Sequence, residues 1–213
     1  MAKIYTFAGQ ERGDFVFYLA NILSTRTPAV LVIDNSNTYD LFLPVVGHNE
    51  ESNSFDKGNI TFLKNAAYSE SLYEQYDFVL IYQGERLDAE EMKVSDHIYF
   101  MPDFFPRSLR NMEKFGIVNY ENSSVIMRDQ TSSKISSRSA AQLLNVPFDR
   151  IRGSIPFDFK DYSLYISFSY NGHQSIKNLS PSYAEALMYV IYEILDLKSM
   201  REAEALVKKV KKI

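Results

Sequence analysis

The sequence predicts one α/β domain with a mostly parallel β-sheet and helices on both of its faces. Short apolar segments alternate with segments of helical periodicity along almost the whole chain of 213 residues. The apolar segments are nearly continuous, and Gly, Pro, Asn or Asp bound them. Continuous apolar strands are typical of parallel sheets covered on both faces, and a chain of this length can bury a substantial core.

Six segments have the length and composition of buried strands. They are Lys3–Phe7, Ala29–Ile33, Ile60–Leu63, Phe78–Ile81, Ile98–Met101 and Val125–Met127. The polar stretch His48–Asn59 is the longest predicted loop. Around Leu164–Phe168 the apolar residues alternate as in a strand, but a short helix before Asn171 also fits.

Helical spacing is clearest after the first strand. Phe15, Leu19, Ile22 and Leu23 recur at i, i+4, i+7 and i+8, and Asp14 is available as an N-cap. Further helices are predicted at Ser108–Phe115, Ser137–Leu144 and Tyr183–Leu197. The predicted organisation is an α/β domain over residues 1–197, followed by a basic amphipathic helix over 198–213.

Composition excludes several classes of function. The absence of cysteine rules out disulfides, thiol nucleophiles and cysteine-based metal sites. The net charge is −4; six Lys or Arg and two Glu from Lys198 onward carry +4, so residues 1–197 carry −8. An acidic body makes nucleic-acid binding an unfavourable hypothesis. Without a long apolar run or a signal-peptide layout, a cytoplasmic protein is expected.

The loop between the first strand and the first helix lies where an α/β sheet normally binds its ligand. Its residues are Ala8, Gly9, Gln10, Glu11, Arg12, Gly13, Asp14 and Phe15. Ala8 and Gly13 fall on the two glycine positions of G-x-x-x-x-G-K-[ST], but Asp14 replaces the lysine and Phe15 the hydroxyl residue. A carboxylate in place of a cation reverses an attraction of about 4 kcal/mol per charge pair at 4 Å. The sequence therefore disfavours conventional ATP binding in this loop.

The ordered features of residues 3–197 resemble the MinD/ParA family of deviant Walker-type ATPases. The landmarks are Val30–Asp34, Tyr76–Ile81, Ser95–Met101, Pro102, Ser108–Asn111, the I-P-x-D segment within Ile151–Asp158, Asn171–Gly172 and Ser180–Pro181. The resemblance implies a P-loop NTPase-like fold, pairing of two copies across the nucleotide face, and a C-terminal amphipathic targeting helix.

The departures from the family pattern fall where its catalysis takes place. Gly9 and Asp14 stand at the two lysine positions, Tyr82 at the aspartate that ends the Walker B strand, and Met127 at an expected asparagine. The family positions that survive are Asp34, Pro156 and Asp158. A lone carboxylate after a strand also has a simpler reading as a turn or cap residue. We therefore expect no cofactor, with weak ATP binding through Gln10, Arg12 and Asp34 as the alternative.

No catalytic residue and no metal site are predicted. The three histidines are isolated in sequence, and His97 opens an apolar strand. The acidic group of Glu85, Asp88, Glu90 and Glu91 fits the first turn of a helix better than a metal site, since acidic residues are favourable there.

The C-terminal segment is amphipathic. Its apolar residues recur at i, i+3, i+4, i+7 and i+10, and lysines flank them. These apolar residues are Ala203, Leu206, Val207, Val210 and Ile213, and the flanking lysines are Lys208, Lys209, Lys211 and Lys212. Such a helix has the charge for weak, reversible contact with an anionic membrane or with a partner. A solvated terminal helix or a packing arm is the simpler alternative.

The resemblance leads to a hypothesis about function. The chain would be a non-hydrolysing pseudo-ATPase that acts through protein–protein contacts, as a localisation or assembly scaffold for a bacterial pilus, secretion or division apparatus. Homodimerisation and peripheral attachment to the inner face of the membrane are compatible with it. The alternative is an enzyme: a weak or atypical nucleotide-binding ATPase that uses the residual site.

Overall fold

The computed structural model describes residues 2–131, 135–172 and 175–210. Eight strands within these residues form one sheet with the order β3-β4-β2-β5-β1-β6-β7-β8. The strands are β1 (Lys3–Gly9), β2 (Val30–Asp34), β3 (Ser54–Lys57), β4 (Ile60–Lys64), β5 (Phe78–Gly84), β6 (His97–Met101), β7 (Ser123–Gln130) and β8 (Ile151–Pro156). Neighbouring strands are parallel except for β3 and β4. The predicted mostly parallel sheet is confirmed.

Helices cover both faces of the sheet. They are α1 (Asp14–Leu23), α2 (Phe42–Val45), α3 (Glu70–Tyr73), α4 (Ala89–Lys93), α5 (Pro106–Phe115), α6 (Ser137–Leu143), α7 (Phe159–Asn171), α8 (Pro181–Ile194) and α9 (Met200–Val210). Side chains alternate between the faces along each strand: Val30 and Val32 pack in the core that includes α1, α8 and α9, whereas Leu31 and Ile33 pack on the opposite side. The predicted covering of both faces is confirmed.

Two strands have no counterpart in the predicted set. β8 lies in the segment that carries the I-P-x-D resemblance. β3 lies inside the stretch predicted as a loop, and its residues are mostly exposed, so it carries no buried apolar run. A two-residue turn at Gly58 and Asn59 joins it to β4, with Gly58 at φ +61°. Glycine permits this turn, which pairs β3 at the edge of the sheet without an apolar signal.

The ambiguous segment around Leu164–Phe168 is part of helix α7. The Asp158 carboxylate accepts the backbone N–H groups of Lys160 and Asp161 and so caps the N-terminus of α7. Gly172, at φ +62°, follows its last residue in the left-handed conformation typical of a helix C-terminus.

The predicted role of Asp14 as an N-cap is wrong. Gly13 is the N-cap residue of α1, and Asp14 is the first residue inside the helix. Its carboxylate is drawn away from the helix amides by two arginines, which are described below.

Helix α9 packs against α1 and α8. Ala203, Leu206 and Val207 belong to the same buried core as α1, and Val210 packs at its edge. The predicted boundary at residue 197 falls between α8 and α9, but the apolar row of α9 contributes to the core of the α/β body.

Candidate functional site

The candidate site is the loop of residues 10–13, between β1 and α1, at the carboxyl end of the sheet. At both ends of this loop there is space only for glycine. A Cβ atom on Gly9, whose φ is +149°, would lie 2.3 Å from the carbonyl oxygen of Met101, and one on Gly13 would lie 2.3 Å from the Cβ of Leu41. Any side chain at position 9 would collide with β6.

Three backbone amides of the loop donate to acceptors within the protein. Gln10 N–H donates to the Met101 carbonyl at 3.1 Å, and Arg12 N–H donates to the Gln10 carbonyl at 2.8 Å. Gly13 N–H donates to Asp40 Oδ2 at 2.8 Å. In a phosphate-binding loop such amides converge on the anion. Here an intramolecular carboxylate takes that position at Gly13.

Arg12, Asp14, Arg128 and Asp129 form a cluster of two arginines and two aspartates behind the loop. Arg12 donates to both oxygens of Asp129, at 2.9 and 3.0 Å, and approaches Asp14 Oδ2 at 3.4 Å. Arg128 donates to both oxygens of Asp14, at 3.2 and 3.4 Å. The Tyr183 hydroxyl donates to Asp14 Oδ2 at 2.9 Å. We call these four charged residues the charge cluster.

The charge cluster is electrically balanced and mostly buried. Burial raises the pKa of Asp14, but Arg128, Arg12 and the hydrogen bond from Tyr183 outweigh it, so the pKa is lowered overall. Burial lowers the pKa of Arg128, but the negative charge of Asp14 outweighs it, so the pKa of Arg128 is raised overall. Both groups therefore stay charged at neutral pH. The Arg12 guanidinium also lies over the Tyr165 ring, 4.6 Å from its centroid, where a cation–π contact stabilises it.

Three carboxylates, Glu11, Asp34 and Asp40, lie on the other side of the loop. Burial, the charge of Asp34 and, to a smaller extent, that of Glu11 raise the pKa of Asp40 to about 7, against the lowering effect of the hydrogen bond from Gly13 N–H. Asp40 is therefore partly protonated near neutral pH. The Tyr82 hydroxyl donates to the Gln10 carbonyl at 3.2 Å.

Glu11 is bound to the chain segments on both sides of the loop. Its carboxylate accepts from the Thr38 hydroxyl at 2.9 Å and from Glu85 N–H at 3.2 Å. A Cβ atom on Gly84 would lie 2.6 Å from a Glu11 carboxylate oxygen. Gly84, at φ +53°, therefore leaves the space that Glu11 fills.

Asp34 organises the chain after β2. Its Oδ1 accepts from Ser36 N–H and from the Ser36 hydroxyl, at 3.0 and 2.6 Å. Its Oδ2 accepts from Leu41 N–H and Phe42 N–H at the start of α2, at 3.0 and 2.8 Å. Burial outweighs these bonds and raises the pKa of Asp34. The buried carboxylate is fully engaged in local structure, as the simpler reading expects.

The other predicted site residues lie apart from this chemistry. Ala8 and Phe15 are buried in the core, Pro156 ends β8 and is exposed, and Asp158 caps α7. Over the described ranges, no group of three or more histidine or acidic residues could hold a metal ion. Asp88 caps helix α4, where its carboxylate accepts from Glu90 N–H and Glu91 N–H.

The C-terminal residues divide into buried and exposed ones. Leu206 and Val207 are buried against the body, so this conformation offers no continuous apolar face for a membrane or a partner. Lys208 pairs with Glu204 on the surface, and Lys209 is exposed. Lys211, Lys212 and Ile213 lie outside the described residues. Contact through the apolar row of α9 stays a prediction that requires the helix to leave the body.

No helix in the described parts of the chain has the length and apolar character needed to cross a bilayer.

The main residues that the sequence pattern did not identify are Arg128, Asp129, Tyr183 and Asp40. Arg128 and Asp129 directly follow the apolar segment Val125–Met127, and a charged pair at the end of a buried strand is a signal in itself. The partner of such a charge cannot be read from the sequence, because Asp14 lies 114 positions away.

No protein-family model matches the chain, and no curated protein matches it in sequence. The fold is similar to that of several solved structures. MinD, a cell division protein of Aquifex aeolicus, has a TM-score of 0.69 at 12% identity, over 93% of this chain and 98% of MinD. MinD in the MinC:MinD complex of the same organism gives 0.69 at 13% identity, over 93% and 97%. A ParA family ATPase from Chlorobium tepidum TLS gives 0.61 at 14% identity, over 98% and 97%. The expected MinD/ParA-like fold is confirmed.

Proposed function

We propose that this chain is a non-hydrolysing pseudo-ATPase with the MinD/ParA-type fold, which acts as a localisation or assembly scaffold through protein–protein contacts. Its partners would belong to a bacterial pilus, secretion or division apparatus. The observation that carries the proposal is the charge cluster: Arg12, the one cation in the loop, is already paired with Asp129 and Asp14.

The residues of the loop do not suit a nucleoside triphosphate. Such a ligand needs free amides, a lysine and a hydroxyl for its magnesium ion. Here three amides donate within the protein, and Glu11 places a carboxylate in the same loop. A phosphate charge placed 4 Å from one carboxylate would meet a repulsion of about 4 kcal/mol at intermediate dielectric. Binding would also require Arg12 to leave its buried partners.

A scaffold needs a rigid body and a surface, and it needs no turnover. The buried ion pairs and the engaged carboxylates hold the loop in one conformation, which favours a structural role over a loop that cycles between ligand states. The comparison structure of MinD with MinC is a precedent for protein partners on this fold. Pairing of two copies, and weak contact of α9 with an anionic membrane, remain part of the proposal.

Titration with a fluorescent ATP analogue, with and without magnesium, tests the proposal. The ParA family ATPase from Chlorobium tepidum serves as the positive control. We expect no saturable binding and no phosphate release by this chain. Saturable micromolar binding that is lost in Arg12→Ala, in a variant whose circular dichroism matches the wild type, would overturn the proposal and establish the weak ATPase instead. Gln10→Ala is a milder companion variant, since Gln10 contributes only one hydrogen bond to Asp129.

A further inference from the structure

Helix α7 carries on one side a row of four residues, of which three are large and exposed. Phe159, Ser163, Ile166 and Tyr170 follow each other at intervals of four, three and four residues, which is the spacing of a coiled-coil seam. Phe159 is 77% exposed, Tyr170 75% and Ile166 40%. We call these four residues the α7 seam. An apolar helix face of this kind in contact with solvent is typical of a protein interface.

The small residue in the seam has no unmet hydrogen-bonding requirement. The Ser163 hydroxyl donates to the Phe159 carbonyl of its own helix at 2.7 Å. Ser167 beside it donates in the same way to the Ser163 carbonyl at 2.9 Å. Both hydroxyls can therefore be covered by an apolar partner without losing a bond. Ser163 is also much smaller than Phe159 and Ile166, which flank it in the seam.

The order of large and small residues in the seam is self-complementary. In an antiparallel pair centred between residues 164 and 165, Ser163 of one copy lies opposite Ile166 of the other, and Phe159 lies opposite Tyr170. Ile166 of each copy then packs on the small Ser163 of the other, and Phe159 and Tyr170 form an aromatic contact at each end. A parallel pair would instead place Ser163 against Ser163 and leave a void, which is costly in a packed interface.

Charge does not oppose a second copy at the seam. The chain carries a net charge of −4, so most contacts between copies bring acidic surfaces together. The seam itself carries no charge. The charged residues of α7 are Lys160 and Asp161 in its first turn, and Asp161 is buried. In the antiparallel arrangement the two Lys160 side chains lie at opposite ends of the pair, so they do not repel each other strongly.

The apolar surface extends beyond the helix. Next to α7 lies a cavity of about 710 Å³, whose lining includes Phe104, Phe105, Phe157 and Tyr162. Phe105 and Phe157 are themselves exposed. A second copy bound at the seam would therefore cover further apolar surface there.

We propose that two copies of this chain associate without nucleotide through antiparallel pairing of their α7 seams. This deepens the proposed function by naming the surface through which the scaffold would assemble. Because a typical stable interface uses about 20–30 residues a side, pairing through a single short helix is reversible and depends on concentration.

Sedimentation velocity over a wide range of protein concentrations, with no nucleotide present, tests the pairing. The wild type is expected to shift from monomer to dimer as concentration rises. Ile166→Lys and Ser163→Glu should each weaken the dimer by about tenfold or more, since each places a charge in the interface. The combined variant S163E/I166K should restore the dimer, because the antiparallel register sets each new glutamate opposite a new lysine.

Leu143→Lys, at an apolar position on α6 that is 51% exposed, is the matched control and should dimerise like the wild type. Circular dichroism confirms folding of each variant. If the wild type stays monomeric at every concentration, the proposal is overturned, and the seam would be a surface for another partner. So would a dimer that Ile166→Lys leaves intact, or one that the double variant fails to restore. The sedimentation experiments are done without nucleotide. A negative result for the dimer is therefore distinct from a negative result for the proposed function, which the ATP-binding test measures.

Discussion

Arg128 donates to both carboxylate oxygens of Asp14, at 3.2 and 3.4 Å, and so joins the end of β7 to the start of α1. Both side chains are buried. Arg12, which contacts both Asp14 and Asp129, connects this pair to the loop between β1 and α1.

Loss of one member of this pair should destabilise the protein strongly. Arg128→Met leaves Asp14 buried with one fewer positive partner, and removal of one partner from a buried pair typically costs about 3–5 kcal/mol. The double variant Arg128→Met/Asp14→Leu should regain a large part of that loss, because it buries no unpaired charge. Denaturant titration measures both, with Arg138→Met on the exposed surface of α6 as the control. Equal stability of Arg128→Met and Arg138→Met would contradict the role of the pair.

Position 9 should not accept a side chain. In Gly9→Ala the new Cβ would collide with the backbone of β6, where relaxation is costly. Gly58→Ala is the matched control: Gly58 also has a positive φ, but its surroundings are open, so only the backbone strain of about 1–2 kcal/mol applies. A larger fall in melting temperature for Gly9→Ala than for Gly58→Ala is expected. The opposite order would mean that β1 and β6 can separate, and that a lysine fits there after all.

Asp40 should make stability depend on pH near neutrality. Its folded-state pKa of about 7 lies above the ordinary value of about 3.9, so the folded protein keeps a proton that the unfolded chain loses. The resulting stabilisation is complete below about pH 4 and is lost as the pH rises through about 7. The free energy of unfolding of the wild type, minus that of Asp40→Asn, should therefore fall by an amount on the order of a few kcal/mol from pH 4 to 8. The subtraction removes groups that do not interact with Asp40; the remaining difference includes its electrostatic coupling to Asp34. A flat difference would show that Asp40 is charged in the folded state throughout.

The apolar residues of α9 should act as core residues. Leu206→Ala should cost about 2–5 kcal/mol, as is usual for truncation of a buried leucine. Lys209→Ala on the exposed side of the same helix should have little effect. Thermal or chemical unfolding distinguishes the two outcomes. If Leu206→Ala left stability unchanged but abolished sedimentation with anionic vesicles, the helix would be a detached membrane contact instead.

Local patterns in the sequence were sufficient for most of the fold. Continuous apolar segments predicted six strands of the sheet, and residues spaced at i, i+4 and i+7 predicted α1. These signals work because each depends on residues a few positions apart and on one buried face. β3 gave no such signal, since an exposed edge strand need not be apolar. The segment that became α7 alternated like a strand, and the cap at Asp158 and the left-handed Gly172 fix it as a helix.

The sequence by itself determined that this is an α/β protein with a mostly parallel sheet, and it placed a carboxylate at position 14, at the start of the first predicted helix. Only the tertiary structure decided what that carboxylate does. Asp14 meets Arg128 from 114 positions away and Tyr183 from 169, and the apolar row of α9 faces the core and not the surface. Such pairings depend on the order in which strands join the sheet. No periodicity in the chain records that order, because it is set by burial and charge balance across the whole molecule.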